Sequence, residues 1–271
     1  MSMKMIIAPT DFSEVSVNAV NYAADMAMAL HAQLVIMHVN EYIYAYSEAG
    51  IIDALIDENT DERLDGLEAQ LLKRTANKLS IKKILSVGRL EKELSKLSET
   101  ITPFAIVMGT HDELNTVNRF FLDSRSLNTA KKLRCPVMII PNHKTWNKIA
   151  SIAYACDLKD AESIPAKEIK YVQDAFGSVL HVVHISKDSN FNSEDVINTT
   201  LLPAGLMVNK TDFHIIEHDD VVKGIEAFAD EFKIDLVILQ PKEYGFFQNL
   251  FHISQSKRMI LHPWMPIMVL H

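Results

Sequence analysis

Short, nearly continuous apolar runs recur along the chain: KMIIAPTD, QLVIMHVN, KKILSVGR, FAIVMGT and CPVMIIP. Runs of this length, rich in Ile and Val and bounded by charged or turn residues, predict parallel strands buried on both faces. Between them the period changes. SEVSVNAVNYAADMAMALHA sets Val17, Val20, Ala24 and Met28 on one helical stripe, with Ser13 as the N-cap and Ser16 as a weaker candidate. The stretch from Tyr42 to Leu79 reads as a loop entering an amphipathic helix. Its stripe is Ile51, Ile52, Leu55 and Ile56, then Leu64, Leu67, Leu71 and Leu72. Tyr42, Tyr44 and Tyr46 alternate within it and either pack or line a crevice. Strands alternating with helices predict an α/β fold whose sheet is covered on both faces.

The second half repeats the first. SIAYACDL echoes KMIIAPTDF, with Asp157 standing 146 residues after Asp11, and VLHVVHIS echoes QLVIMHVN, with His184 standing 146 after His38. Towards the ends the offset becomes 130, pairing Pro136 with Pro266, Ser124 with Ser254 and Ser126 with Ser256. The second copy is therefore shorter, chiefly after its second strand. Two tandem domains are expected, residues 1–143 and 147–271, with the boundary in PNHKTWNK. That linker is short and has no glycine, which favours domains that pack over domains that swing.

Composition narrows the function classes. A net charge of −8, with no Lys/Arg run longer than a pair, argues against a nucleic-acid partner. Two cysteines, Cys135 and Cys156, make no disulfide framework and suit a reducing compartment. Cys135, beside Pro136 at the start of an apolar run, reads as a small buried hydrophobe. The N-terminal residues lack a signal-peptide pattern, and no run is long enough to span a membrane. The expected location is cytoplasmic.

In both halves the order of elements resembles the universal stress protein family. The residues that carry the resemblance are PTDFSEVSVNAVNYA, the HV ending the second strand, VGRLEKEL, IVMGTH and the closing CPVMIIP. The resemblance covers nearly the whole chain and implies a tandem member with two open, five-stranded parallel sheets of Rossmann-like type. It also implies a dimer-like pairing of the two domains, here within one chain. A homodimer and a protein partner stay open.

Many members of that family bind ATP through a loop of the form G-x2-G-x9-G-[ST] after the fourth strand. Glycines let backbone N–H groups approach phosphate, and the next helix offers its positive end. In the first domain Gly109 matches the first glycine and Ser124 the final hydroxyl, with Ser126 close by. Asp112 and Asp123 replace the other two glycines, and the intervening loop is one residue longer. Each aspartate blocks close approach and adds like charge, roughly 1 kcal/mol at about 4 Å in water and more where solvent is excluded. Since about 1.4 kcal/mol is tenfold, a micromolar site moves towards millimolar. An Asp-held Mg²⁺ bridging the phosphates is the one rescue. Asp11, at the mouth of the same crevice, either caps the following helix or contacts ligand. The candidate binding residues are thus Asp11, Gly109, Ser124 and Ser126, with ATP open in the first domain.

The second domain has Gln240 and Pro241 where the loop begins, and His252 and Ile253 before Ser254. Proline offers no N–H and the others close the loop, so no ATP site is expected there. Phe246, Phe247 and Phe251 form an aromatic cluster for packing or for a partner. Asp157 is expected to cap.

His214 and His218 have helical metal-ligand spacing, but DFHIIEHDD is rich in strand formers, and no metal site is expected. His38 and His184 read as a shared fold position. No nucleophile elbow, Walker loop, CxxC or HExxH is present, so no catalytic residue is assigned. The expectation is a non-catalytic binding or signalling module with at most one weak nucleotide or small-ligand crevice. The alternatives are a Mg-ATP-binding or weakly hydrolysing protein and a ligand-free interaction module.

Overall fold

The computed structural model describes residues 3–40, 45–47, 50–52, 59–110, 133, 135–156, 164–186, 211–240, 259 and 263–270. The chain divides into two compact units, Met1–Trp146 and Asn147–His271.

In the first unit five strands run parallel: β1 (Met5–Pro9), β2 (Gln33–Asn40), β5 (Ser80–Val87), β6 (Ala105–Thr110) and β7 (Val137–Pro141). Their order is β7-β6-β1-β2-β5. β1 lies at the centre, with Ile6 opposite Leu34 of β2 on one side and Ala105 of β6 on the other. The chain therefore builds outwards through β2 to β5, then returns to the far side of β1. That reversal leaves a crevice beyond the carboxyl ends of β1 and β6, the usual ligand position in open α/β sheets.

Helix α1 (Glu14–Leu30) begins at Ser13, whose side chain accepts from Ser16 N, as its N-cap position predicts. The helix buries more than the expected stripe. Val20 and Ala24 are buried, as are Ala19, Ala23 and Ala27, while Val17 and Met28 are half-buried. The many alanines let the helix lie close on the sheet. Asn18 donates to the carbonyls of Pro141 at 3.3 Å and Lys144 at 3.1 Å, tying the segment after β7 back to the helix.

Helix α2 (Thr60–Arg74) buries Leu64, Leu67 and Leu71. Ile51 and Ile52 of the expected stripe are in a strand: β3 (Ala45–Ser47) and β4 (Gly50–Ile52) pair antiparallel, with Tyr46 opposite Ile51. Ile and Tyr are strand formers, which favours this pairing. Tyr42, Tyr44, Leu55 and Ile56 lie outside the described residues. β5 also departs from expectation. Among the described residues it pairs with β2 alone, and it is half-exposed, with Leu85 and Val87 open to solvent. Helix α3 (Leu90–Ile101) then leads into β6.

The second unit repeats the arrangement with β8 (Ser151–Ala155), β9 (Val179–Ser186), β10 (Thr211–Glu217), β11 (Leu236–Leu239) and β12 (Ile267–Val269). Their order is β10-β9-β8-β11-β12, all parallel, with β8 central between β9 and β11. Helices α4 (Ala166–Phe176) and α5 (Val221–Glu231) are described here. Asp220 caps α5, accepting from Val222 N at 2.9 Å and Lys223 N at 3.2 Å. No described helix is long and apolar enough to cross a membrane.

Candidate functional site

The first unit's crevice is shaped by the turn after β1. Asp11 is exposed, and its Oδ1 accepts from Ser13 N at 2.9 Å and Ser13 Oγ at 2.6 Å. These bonds close a turn just before the helix, whose N-cap is Ser13. Phe12 takes a left-handed conformation at φ 64°, uncommon for a bulky residue. It is held there by Phe12 N donating to Thr10 Oγ1 at 2.9 Å, by its ring 4.8 Å from that of His38, and by the Arg63 guanidinium 4.1 Å above it. Strain of this kind persists where the surroundings over-determine it, and it gathers at ligand sites.

Gly109 stands at the end of β6. The β1–β6 register, carried forward, sets it level with Thr10. A Cβ built on it would lie 2.4 Å from the Val15 carbonyl oxygen and 2.7 Å from Val15 Cγ1. The start of α1 thus lies directly against this backbone, and any side chain would push helix from sheet. Gly109 has a packing reason independent of any phosphate. Ser124, Ser126, Asp112 and Asp123 lie outside the described residues.

The floor of the turn is held by His38. Its Nδ1 lies 2.7 Å from the Thr10 carbonyl oxygen, which can only accept, so Nδ1 carries the proton. Its Nε2 lies 3.0 Å from Asn40 Oδ1, while Asn40 Nδ2 is buried without a partner. Rotating the Asn40 amide by half a turn resolves both facts: the NH₂ then donates to the lone pair on His38 Nε2. The same anchor recurs in the second unit, where His184 Nδ1 lies 3.1 Å from the Cys156 carbonyl oxygen. The shared position of the two histidines is therefore a turn anchor.

Elsewhere the second unit differs. Carrying its register forward sets Gln240 level with Cys156, as Gly109 is level with Thr10. Tyr154, where β1 has Ala8, is buried and donates through its hydroxyl to Gln240 Oε1 at 3.0 Å. A tyrosine–glutamine pair thus stands where the first unit has alanine and glycine. Asp157, Pro241, His252 to Ser254 and the three phenylalanines of that loop lie outside the described residues.

Among the described residues, one group of three side chains could hold a metal ion: His181, Asp212 and His214. As its strand formers suggest, the segment containing His214 is a strand, β10. His218 falls beyond it and its Nδ1 accepts from Asp220 N at 2.9 Å. His214 meets His181 instead, with Nε2 3.0 Å from His181 Nδ1. Asp212 Oδ2 lies 3.9 Å from that same Nδ1. Burial lowers the pKa of His181, opposed by Asp212, and burial followed by His181 lowers that of His214. This group escapes motif reading because His181 lies far in sequence from the other two. The one usable signal was strand alternation, which puts Asp212 and His214 on the same face.

The model of the universal stress protein family matches residues 3–141. No curated protein matches the chain in sequence. Among solved structures, a universal stress protein from Archaeoglobus fulgidus DSM 4304 is similar over 98% of this chain and 97% of its own, at 20% identity and TM-score 0.69. A putative universal stress protein from Pseudomonas aeruginosa UCBPP-PA14 is similar over 99% of this chain and 93% of its own, at 13% identity and TM-score 0.62. At these identities the likeness carries the fold.

Proposed function

This chain belongs to the universal stress protein family as a tandem two-domain member, and from that premise we propose that it is a non-catalytic binding and signalling module of the stress response. It has at most one weak nucleotide or small-ligand crevice, in the first domain (residues 1–143), and none in the second (residues 147–271). The residues proposed to line the crevice are Asp11, Gly109, Ser124 and Ser126.

One observation carries this reading. At matched places beyond the central strands the first unit has Ala8 and Gly109, whereas the second has Tyr154 hydrogen-bonded to Gln240 at 3.0 Å. Tyr154 is buried and satisfied by its neighbour, whereas in the first unit the start of α1 lies directly against Gly109. In the first unit Asp11 holds the turn through Oδ1 and makes no hydrogen bond through Oδ2 among the described residues. Asp112 and Asp123 in the following loop disfavour a triphosphate on charge grounds.

Calorimetric titration with Mg-ATP tests the reading, using Asp11→Asn and Ser124→Ala as variants. Gly109 is unsuitable, because any side chain there displaces α1. Asn keeps the Oδ1 acceptor and removes the charge, so the turn survives while the ligand's surroundings change. The expected affinity is roughly 100 μM or weaker, about −5.5 kcal/mol at most, with no phosphate released. Micromolar affinity lost in Ser124→Ala would favour an intact ATP site, and steady release of phosphate would overturn the non-catalytic assignment.

A further inference from the structure

We propose that His181, His214 and Asp212 form a binding site for one divalent first-row transition ion of the Zn²⁺ class, at the edge of the second unit's sheet. Asp212 lies directly opposite His181 on the β9–β10 ladder, with Val183 opposite His214. Since side chains alternate between faces, Asp212 and His214 share a face with His181. Two imidazole nitrogens and one carboxylate oxygen are a ligand set suited to Zn²⁺ and its neighbours, with the remaining positions left to water.

The geometry is close to that of a bound ion. The facing nitrogens are 3.0 Å apart, against about 3.3 Å for two ligands at tetrahedral angles and roughly 2.0–2.1 Å from zinc. The carboxylate oxygen is 3.9 Å from His181 Nδ1, and all three donor atoms lie within 4.8 Å of one another. Asp212 is 63% exposed, so its carboxylate can swing inwards without repacking anything. The imidazoles are held from the other side. Phe228 and Phe232 stack at 4.4 Å, and their ring centroids lie 4.8 and 4.7 Å from that of His214 and 5.9 and 5.5 Å from that of His181. One side of the cluster is apolar and fixed while the other opens to water.

Without a cation, one of the two facing nitrogens must carry a proton for the pair to bond. With a cation both turn lone pairs inwards, which needs a tautomer shift in one ring and no net loss of a proton. The ion would bind the edge strand β10 to β9 and offset the negative charge of Asp212.

Titrating the whole chain with Zn²⁺ alone, and with Co²⁺ as a spectroscopic probe, tests the proposal. One ion per chain is expected at micromolar affinity or tighter, with visible Co²⁺ absorption bands. Asp212→Asn, an exposed substitution, should weaken binding at least tenfold. His214→Gln should abolish both the binding and the bands. Zinc affinity unchanged in Asp212→Asn would overturn the site, whether or not His214→Gln folds, and so would the absence of stoichiometric binding by the wild-type chain.

Discussion

His38 donates from Nδ1 to the carbonyl oxygen of Thr10 at 2.7 Å, bridging the end of β2 to the turn that follows β1. The second unit makes the same bond between His184 and Cys156 at 3.1 Å. In both units a backbone bond lies beside it, Thr10 N to Met37 O and Cys156 N to Val183 O. Replacing His38 by Ala leaves the Thr10 carbonyl and Asn40 without their partner. The expected loss is about 1–2 kcal/mol of unfolding free energy, read by urea denaturation. His184→Ala should act in the same direction. No change in either would mean that the turns hold without their histidines.

Gly109→Ala should destabilise the first unit by about 1–3 kcal/mol or more, because its Cβ would start 2.4 Å from the Val15 carbonyl. The thermal midpoint of the variant checks this without ligand present. A variant as stable as wild type would return Gly109 to a purely ligand-facing role.

Burial pushes the Cys135 thiol up from its ordinary 9.0 to about 11, against a smaller opposing effect of Ser98. The folded chain therefore keeps a proton that the unfolded chain loses first. This contribution to stability is fully present below pH 9 and lost as pH rises through about 11. At pH 8 Cys135 should resist iodoacetamide in the native protein and react after denaturation, as peptide mass mapping can follow. Rapid native labelling would contradict its burial.

Tyr154→Phe removes the donor to Gln240 while keeping the ring. A cost of about 0.5–1.5 kcal/mol is expected, with no effect on any ligand held by the first unit. Restored nucleotide binding in the second unit would show the hydroxyl bond to be what closes it.

Much of this fold was legible in the sequence, because buried parallel strands announce themselves as continuous apolar runs. The offset of 146 residues reappears as matching bonds at His38 and His184. Less legible were features set by tertiary neighbours. β5 is expected to be buried yet lies at an edge, where its Lys82 and Lys83 reach solvent; strand order is set by tertiary neighbours rather than by apolar content. Gly109 fits a phosphate loop on paper, and only the approach of Val15 reveals its packing role. The partner of His214 is 33 residues away at His181, a relation fixed by ladder register that no local spacing encodes.

The central claim is that a single crevice, in the first unit, is all that this tandem chain retains. Hydrogen exchange of the whole chain, with and without saturating Mg-ATP, tests it most directly. Protection should be confined to peptides covering residues 9–13 and 109–126. Protection of peptides containing Tyr154, Cys156 and Gln240 would contradict the account.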